Sequence, residues 1–302
     1  MKVLYIGGAG RTGSTLLERL LGQAEGVFAG GEMTFLWYAL VGGGRCSCQQ
    51  ALTDCPVWSP VVSRALADTT LTPADLVALR GRYWSLHLPL MIVPGVHRAL
   101  LRRLGPYREV VARTYRELRA ETDSRLIVDA SKEPHYSAIL DSLPDLEVYF
   151  LHLVRDPRAV AHSWSRRKVH GGFGPEHGMP LRGLVSSAVY YWVSNVAAEA
   201  IWRSRPDRYL RVRYEDLMAD PEGTLASIWE FAGEPVDTSF LAGRRATIGP
   251  LHTAWGNPNR FERGEIELQA DDEWRREMTW WRRVISAALT WPLLWRYGYR
   301  EG

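Results

Sequence analysis

"GGAGRTGSTLL", residues 7–17, follows directly on the apolar run "VLYI" of residues 3–6. Such a run reads as a buried strand. The glycines read as a turn, and the leucines of "GSTLLERLLG" recur at helical spacing, so a helix opens near Ser14. Strand, glycine turn and helix together make an anion site, because the first N–H groups of a helix are unpaired and carry its positive dipole end. Aligned on the nucleotide-loop pattern G-x-x-x-x-G-K-[ST], Gly8 and Gly13 fall in register and Thr15 takes the hydroxyl position, but Ser14 stands where the lysine belongs. That lysine reaches the β- and γ-phosphates of a triphosphate, and the hydroxyl after it holds Mg²⁺. Its replacement argues against ATP or GTP hydrolysis. Arg11 lies within the loop instead, so the expected ligand is a nucleotide with a shorter anionic chain and no need for Mg²⁺.

Outward from the loop, strands and helices alternate. "GVFAGGE" is a short strand ending in glycines, and a helix follows through "MTFLWYAL". Further strands are "RLIVDA" (125–130), "LEVYFLHLVR" (146–155) and "RYLRVRY" (208–214), with helical material between the last two. This alternation predicts an α/β protein of three layers, with a mostly parallel central sheet covered on both faces. One domain is expected over 1–302, with 42–122 a largely helical insertion or lid beside the carboxyl edge of the sheet, where open α/β sheets bind ligands. Residues 248–265 read as a loop rich in Gly, Pro and Asn, and 271–297 as a tryptophan-rich helical tail.

The 302 residues carry 37 Lys+Arg against 34 Asp+Glu, a formal charge of +3 that is too small to suggest a nucleic-acid surface. "VLYIGGAG" leads straight into Arg11, so it reads as a strand and not as the apolar core of a signal peptide. No apolar run approaches the roughly 18 residues of a membrane span. The expectation is a soluble cytoplasmic protein. Cys46, Cys48 and Cys55 in "CSCQQALTDC" are too few for a disulfide scaffold. They read as reduced loop thiols, the alternatives being a loop disulfide or a zinc site completed by Asp54 or a histidine. No metal is expected. The basic, aromatic tail invites comparison with a membrane-surface helix, but Pro292 and its mixed periodicity favour packing against the domain.

"RTGST" after the first strand resembles the 5′-phosphosulfate loop of sulfotransferases that use 3′-phosphoadenosine-5′-phosphosulfate. The second signature of that family, a strand followed by arginine and then serine eight residues on, is matched by "VYFLHLVRDPRAVAHSW" with Arg155 and Ser163. Proline at 157 suits the first turn of the intervening helix. "VRYEDLMADPEGTLASIWEFAG" matches the pattern after the next strand. The resemblance implies that Gly10, Arg11, Thr12, Gly13, Ser14 and Thr15 cradle the phosphosulfate and that Arg155 and Ser163 hold the 3′-phosphate. It places Lys132 of "DASKEP" near the transferring sulfuryl group and Tyr214 close to the adenine or the substrate. "GNPNRFERG" resembles the loop that closes over the cofactor, where Arg260 would add a 3′-phosphate contact.

Transfer to an alcohol needs a base for the acceptor hydroxyl and cations for the sulfuryl oxygens. The histidine of Lys-x-His, used by cytosolic members, is displaced here by one residue, to His135. A branch similar to tyrosylprotein sulfotransferases instead places a glutamate on the turn after the second strand, and "AGGEMTFLW" puts Glu32 there. Glu32 is therefore the expected base, with Lys132 and Arg11 as catalytic cations and His135 as the alternative. The expected acceptor is a hydroxyl of a small molecule, sugar or lipid-linked glycan, with Trp37, Tyr38, Tyr83 and Trp84 as a candidate aromatic wall and His87 and His252 as candidate pocket residues. His152 reads as a packed core residue, and "RRK" at 166–168 as a solvated helix end. Rival readings are a triphosphate-dependent kinase using Asp129 for Mg²⁺, and a non-catalytic nucleotide- or glycan-binding protein of the same fold.

Overall fold

The structure, a computed structural model, describes residues 1–84, 101–166 and 181–299, the side chains of 82–84 excepted. Strands β1 (Lys2–Gly7), β2 (Val27–Gly31), β3 (Leu126–Lys132), β4 (Glu147–Val154) and β5 (Tyr209–Arg213) form one sheet in the order β2-β3-β1-β4-β5. Every neighbouring pair is parallel. The α/β reading holds. Chain order reverses at β1, which runs first toward β3 and β2 and later toward β4 and β5, so the crevice between the carboxyl ends of β1 and β4 is the expected ligand site.

The pleat of β1 explains the double covering. Val3 and Tyr5 point into one core with Phe28, Ile127 and Phe150, while Leu4 and Ile6 point into the other with Leu17, Val128 and Leu153. Helices Trp58–Leu66 and Gly105–Thr122 contribute Val61, Tyr107, Val111 and Tyr115 to the first core, so this part of the helical segment forms a packed layer over the sheet. Helices Ser14–Leu21, Tyr214–Ala219 and Pro221–Ala232 cover the opposite face.

A second sheet brackets the loop read at 248–265. Strands β6 (Leu241–Ala242), β7 (Arg245–Ile248) and β8 (Gly264–Glu267) pair antiparallel in that order. They are two to four residues long, and β7 alone alternates exposed and buried side chains, too short a stretch for a periodic signal. The tail forms helices Glu273–Glu277 and Trp280–Arg296, the second with Pro292 inside it. Leu293 and Leu294 pack with Tyr191 and Val160, whereas Trp280, Trp281, Val284, Trp291 and Trp295 are exposed. Among the described residues no helix is long and apolar enough to cross a membrane.

His152 is fully buried, with Nε2 2.8 Å from the Asn195 Oδ1 and Nδ1 2.7 Å from the Tyr209 hydroxyl. Burial pushes its pKa down to about 4. The neutral ring donates to Asn195 and accepts from Tyr209, the structural role expected of it.

Gly7 closes β1 against the Phe150 ring, and a Cβ there would fall inside that ring. Gly7→Ala should therefore cost at least the ~1–3 kcal/mol of an overpacked core. Chemical denaturation is the check, with Gly105→Ala, where a Cβ meets only open space and φ is not positive, as the control.

Candidate active site

The glycine turn joins β1 to helix Ser14–Leu21 as anticipated. Gly13 sits at the helix N-cap with φ 93°, and Arg11 adopts φ 70°. A positive φ is easy for glycine and costly for arginine, so the loop holds Arg11 against a local preference. A Cβ on Gly13 would strike the Tyr214 ring, which walls this side of the loop. Thr12 Oγ1 donates to the Ala9 carbonyl at 3.0 Å, and the Gly10 N–H donates to the Tyr190 hydroxyl at 3.1 Å. Arg11 Nη1 donates to Asn257 Oδ1 at 2.6 Å, and its guanidinium lies 4.7 Å from the Trp164 ring centroid. Asn257 also donates to Thr15 Oγ1 at 3.2 Å, tying the C-terminal loop to the glycine turn.

Lys132 ends β3 with φ 67°, and its carbonyl accepts from the Gly8 N–H at 3.2 Å. This bond falls where the β1–β3 register shifts. It brings Lys132 beside the loop. The Lys132 ammonium lies 2.5 Å from Glu32 Oε1, with both side chains nearly buried. Glu32 follows β2 directly. Its N–H donates to the Trp255 carbonyl at 3.0 Å, and Gly31 before it has φ 82° and no room for a Cβ beside Trp255 and Thr253. Gly31 of "AGGE" is thus required by a backbone crossing that holds Glu32 in place, while a Cβ on Gly30 would meet the Met33 side chain.

Behind this pair lies a buried acid that the sequence reading passed over. Glu18, on helix Ser14–Leu21, accepts from the Gly31 N–H at 2.5 Å, and burial pushes its pKa up to about 8, the Gly31 bond opposing the shift. A second cluster supports β3. Asp129 accepts from Tyr115 and from the Ser131 N–H and hydroxyl, and Glu133 pairs with Arg80 at 2.9 Å and with Thr34 at 3.0 Å. Burial raises Asp129 to about 6 and Glu133 to about 7.

Across the crevice, β4 delivers Arg155, and Asp156 caps helix Pro157–Ser165 by accepting from the Arg158 N–H. The Arg155 guanidinium lies 4.4 Å from the Tyr214 ring centroid, donates to the Arg11 carbonyl at 3.3 Å and meets Asp271 Oδ2 at 3.1 Å. Ser163 is two turns along the helix. Arg11, Gly13, Arg155, Ser163 and Tyr214 line one cleft of about 500 Å³ together with Asn257 and Asp271. That volume lies within the ~300–1,000 Å³ of small-molecule sites. A second recess of about 210 Å³ is lined by Lys132, His135, Arg182, Tyr190 and Ser194.

Other assigned residues lie elsewhere. Arg260 does not line the cleft. It is buried, donates to the carbonyls of Gly256 at 2.7 Å and Arg45 at 3.1 Å, and burial lowers its pKa to about 10. His135 is kept neutral by burial and by the charge of Arg80, and lines only the smaller recess. Trp37 is a core residue, so of the supposed aromatic wall it contributes nothing, while Tyr38 is exposed and meets Trp255 edge-on. The side chains of Tyr83 and Trp84, all of His87, and residues 167 and 168 lie outside the described residues. Arg166 pairs with Glu273. His252 turns toward the cysteines. Asn257, Asp271, Tyr190 and Glu18 were missed. Each acts through a partner distant in sequence, and no spacing rule marks them.

The profile of the Sulfotransferase family matches residues 4–238, which contain the glycine loop, Glu32, Lys132, Arg155, Ser163 and Tyr214. The chain belongs to the sulfotransferase family. It is 32% identical over 127 residues to mouse carbohydrate sulfotransferase 2, an alignment covering 30% of this chain and 23% of that protein. It thus spans under a quarter of that relative. The sulfotransferase domain of the Synechococcus PCC 7002 olefin synthase shares the fold, with a TM-score of 0.54 and 21% identity over 97% of this chain and 94% of that one. In this family member Arg11, Gly13, Arg155 and Ser163 line one cleft.

Glu18 gives this site a pH signature. Its folded pKa of about 8 lies above the ~4.3 of an exposed glutamate. The stability it contributes is therefore complete below about pH 4 and is lost as pH rises through about 8. Glu18→Gln keeps an acceptor for Gly31 and removes the charge. The fall in Tm between pH 5 and 8.5 should be smaller in the variant, on the order of 2–4 °C for each kcal/mol recovered. Parallel melting curves for the two proteins across that range would show that Glu18 does not titrate there.

Proposed function

We propose that this protein transfers a sulfuryl group from 3′-phosphoadenosine-5′-phosphosulfate to a hydroxyl of a small molecule, sugar or glycolipid, with Glu32 as general base. The observation that carries the reading is the Glu32–Lys132 contact of 2.5 Å beside a glycine loop that lacks the triphosphate lysine. Around it, the cleft chemistry fits a nucleotide with two separate anionic ends. Arg11 and the loop N–H groups serve one end, Arg155 and Ser163 serve the other, and the Tyr214 ring, with Arg155 stacked on it, lines the same cleft.

The donor brings a sulfuryl group attached to a phosphate leaving group. Glu32 accepts the proton of the acceptor hydroxyl as its oxygen bonds to sulfur and the sulfur–oxygen bond to the phosphate breaks. Lys132 and Arg11 face the oxygens where negative charge shifts during transfer, so they stabilise the transition state more than the ground state. Near-complete burial of Glu32 and Lys132 strengthens these interactions. The smaller recess beside Lys132, with hydrogen-bonding groups from His135, Arg182, Tyr190 and Ser194, suits a hydroxylated acceptor. The similarity to carbohydrate sulfotransferase 2 puts sugar hydroxyls first among the acceptors to screen. A kinase is disfavoured because Asp129 is fully buried and both its oxygens accept from Tyr115 or Ser131, away from any Mg²⁺.

Two measurements test the reading. Arg155→Ala should weaken binding of adenosine 3′,5′-bisphosphate by about 1.5–3 kcal/mol in calorimetry, the worth of a charge-assisted hydrogen bond. ATP with Mg²⁺ should stabilise the wild type far less than the bisphosphate. Unchanged affinity in a folded variant removes the 3′-phosphate assignment.

Glu32→Gln should lower kcat by about 10²–10⁴-fold on an aliphatic alcohol without weakening the bisphosphate. A nitrophenol acceptor ionises unaided and would conceal the loss. If His135→Ala were the more damaging change, the base would be His135.

A further inference from the structure

Cys46, Cys48 and Cys55 lie in the segment between helices Leu36–Val41 and Trp58–Leu66, and His252 lies some 200 residues later, in the loop after β7. The structure gathers all four. One ligand atom from each lies within 4.8 Å of every other. Cys48 Sγ is 3.8 Å from Cys55 Sγ, and His252 Nδ1 is 3.3 Å from Cys55 Sγ and 3.8 Å from Cys46 Sγ. A tetrahedral zinc ion with bonds of about 2.3 Å to sulfur and about 2.0–2.1 Å to nitrogen sets its ligands about 3.8 Å apart for S···S and about 3.6 Å for S···N. Those three distances lie within about 0.3 Å of these tetrahedral edges, and the other ligand atoms lie within 4.8 Å of one another. All three cysteines are free, and the Cys48 and Cys55 sulfurs, 3.8 Å apart, stand well beyond the ~2.05 Å of a disulfide bond.

We propose that Cys46, Cys48, Cys55 and His252 form a structural zinc site that staples the cysteine loop to the C-terminal loop. Three thiolates and one imidazole are a closed tetrahedral set for zinc, with no position left for water, so the ion does no chemistry on substrate. The surroundings suit such a centre. The Cys48 N–H points to Cys46 Sγ at 3.5 Å, and Gln49 takes φ 75° to turn the chain so that its N–H reaches the Cys46 carbonyl at 2.8 Å. Trp58 Nε1 donates to the His252 carbonyl at 2.5 Å. Ser47 donates to the Leu251 carbonyl at 2.6 Å and accepts from the Thr253 N–H at 2.8 Å, holding the two loops face to face. Cys46 and Cys55 are buried, away from bulk oxidants. This arrangement replaces the reading of three ordinary loop thiols and the expectation of no metal, and it gives His252 a role outside the acceptor pocket.

The staple also has a consequence for the site. Three residues after His252, the Trp255 carbonyl accepts from the Glu32 N–H, and two further on Asn257 accepts from Arg11. Arg260 reaches the Arg45 carbonyl next to Cys46. Fixing His252 therefore fixes the loop that positions Glu32 and Arg11.

The test is direct. Full-length protein produced with zinc in the medium and dialysed against metal-free buffer should retain one zinc per chain by mass-spectrometric metal analysis. X-ray absorption should fit three sulfurs at about 2.3 Å and one nitrogen at about 2.0–2.1 Å. Reconstitution with Co²⁺ should give the intense visible bands and thiolate charge-transfer absorption of a tetrahedral site. His252→Ala and Cys48→Ser should each lose most of the zinc. Because either variant can fail to fold, the wild-type stoichiometry decides: metal-free protein with three thiols titratable by a thiol reagent, or a Cys48–Cys55 disulfide by peptide mapping, overturns the proposal.

Discussion

The Gly8 N–H donates to the Lys132 carbonyl where β1 and β3 lose register, and the active crevice depends on that bond. A parallel ladder running in step to its end would carry the two strands past each other as ordinary sheet. The shift frees the glycine turn to curl into its helix and leaves Lys132 in a left-handed conformation beside it. From there the Lys132 side chain meets Glu32, brought by β2, while Arg155 arrives on β4 from the other side of β1. Groups separated by more than 140 residues become neighbours because four parallel strands end at one edge.

Backbone strain maps the same geography. Among the described residues, four non-glycine positions have positive φ: Arg11, Gln49, Asp123 and Lys132. Asp123 ends a helix, as left-handed residues commonly do. Arg11 and Lys132 are two of the cations of the site, and Gln49 turns the cysteine loop. Such conformations persist only where surrounding contacts over-determine them. Here those contacts are the Asn257 and Trp164 partners of Arg11, the Glu32 partner of Lys132 and the Cys46–Ser47 bonds around Gln49.

The parts legible in the sequence were those carried by local pattern. Apolar runs located the five parallel strands within a residue or two. The glycines around Arg11, the arginine closing β4 and the glutamate after two glycines are all punctuation at strand ends, where chemistry and chain geometry coincide. The parts that were not legible depend on meetings between distant segments. Nothing near Arg155 announces that Asp271 will sit 3.1 Å from it, and nothing in "CSCQQALTDC" names His252 as the fourth partner. Trp37 looked like pocket lining because aromatic residues line pockets, yet its helix turns it inward. Arg260 was placed by resemblance to a loop whose backbone carbonyls claim its guanidinium here. The short antiparallel strands fell below the length at which alternation can be told from chance.

The contact between Glu32 and Lys132 sets a condition on when the carboxylate can act. At rest the carboxylate is held in an ion pair with the ammonium at 2.5 Å. An incoming anion competes for the same lysine and draws positive charge away from the carboxylate. On the proposed reading, the group that is to be transferred arms the base that launches its transfer. Until that anion arrives, the carboxylate and the ammonium remain each other's partners.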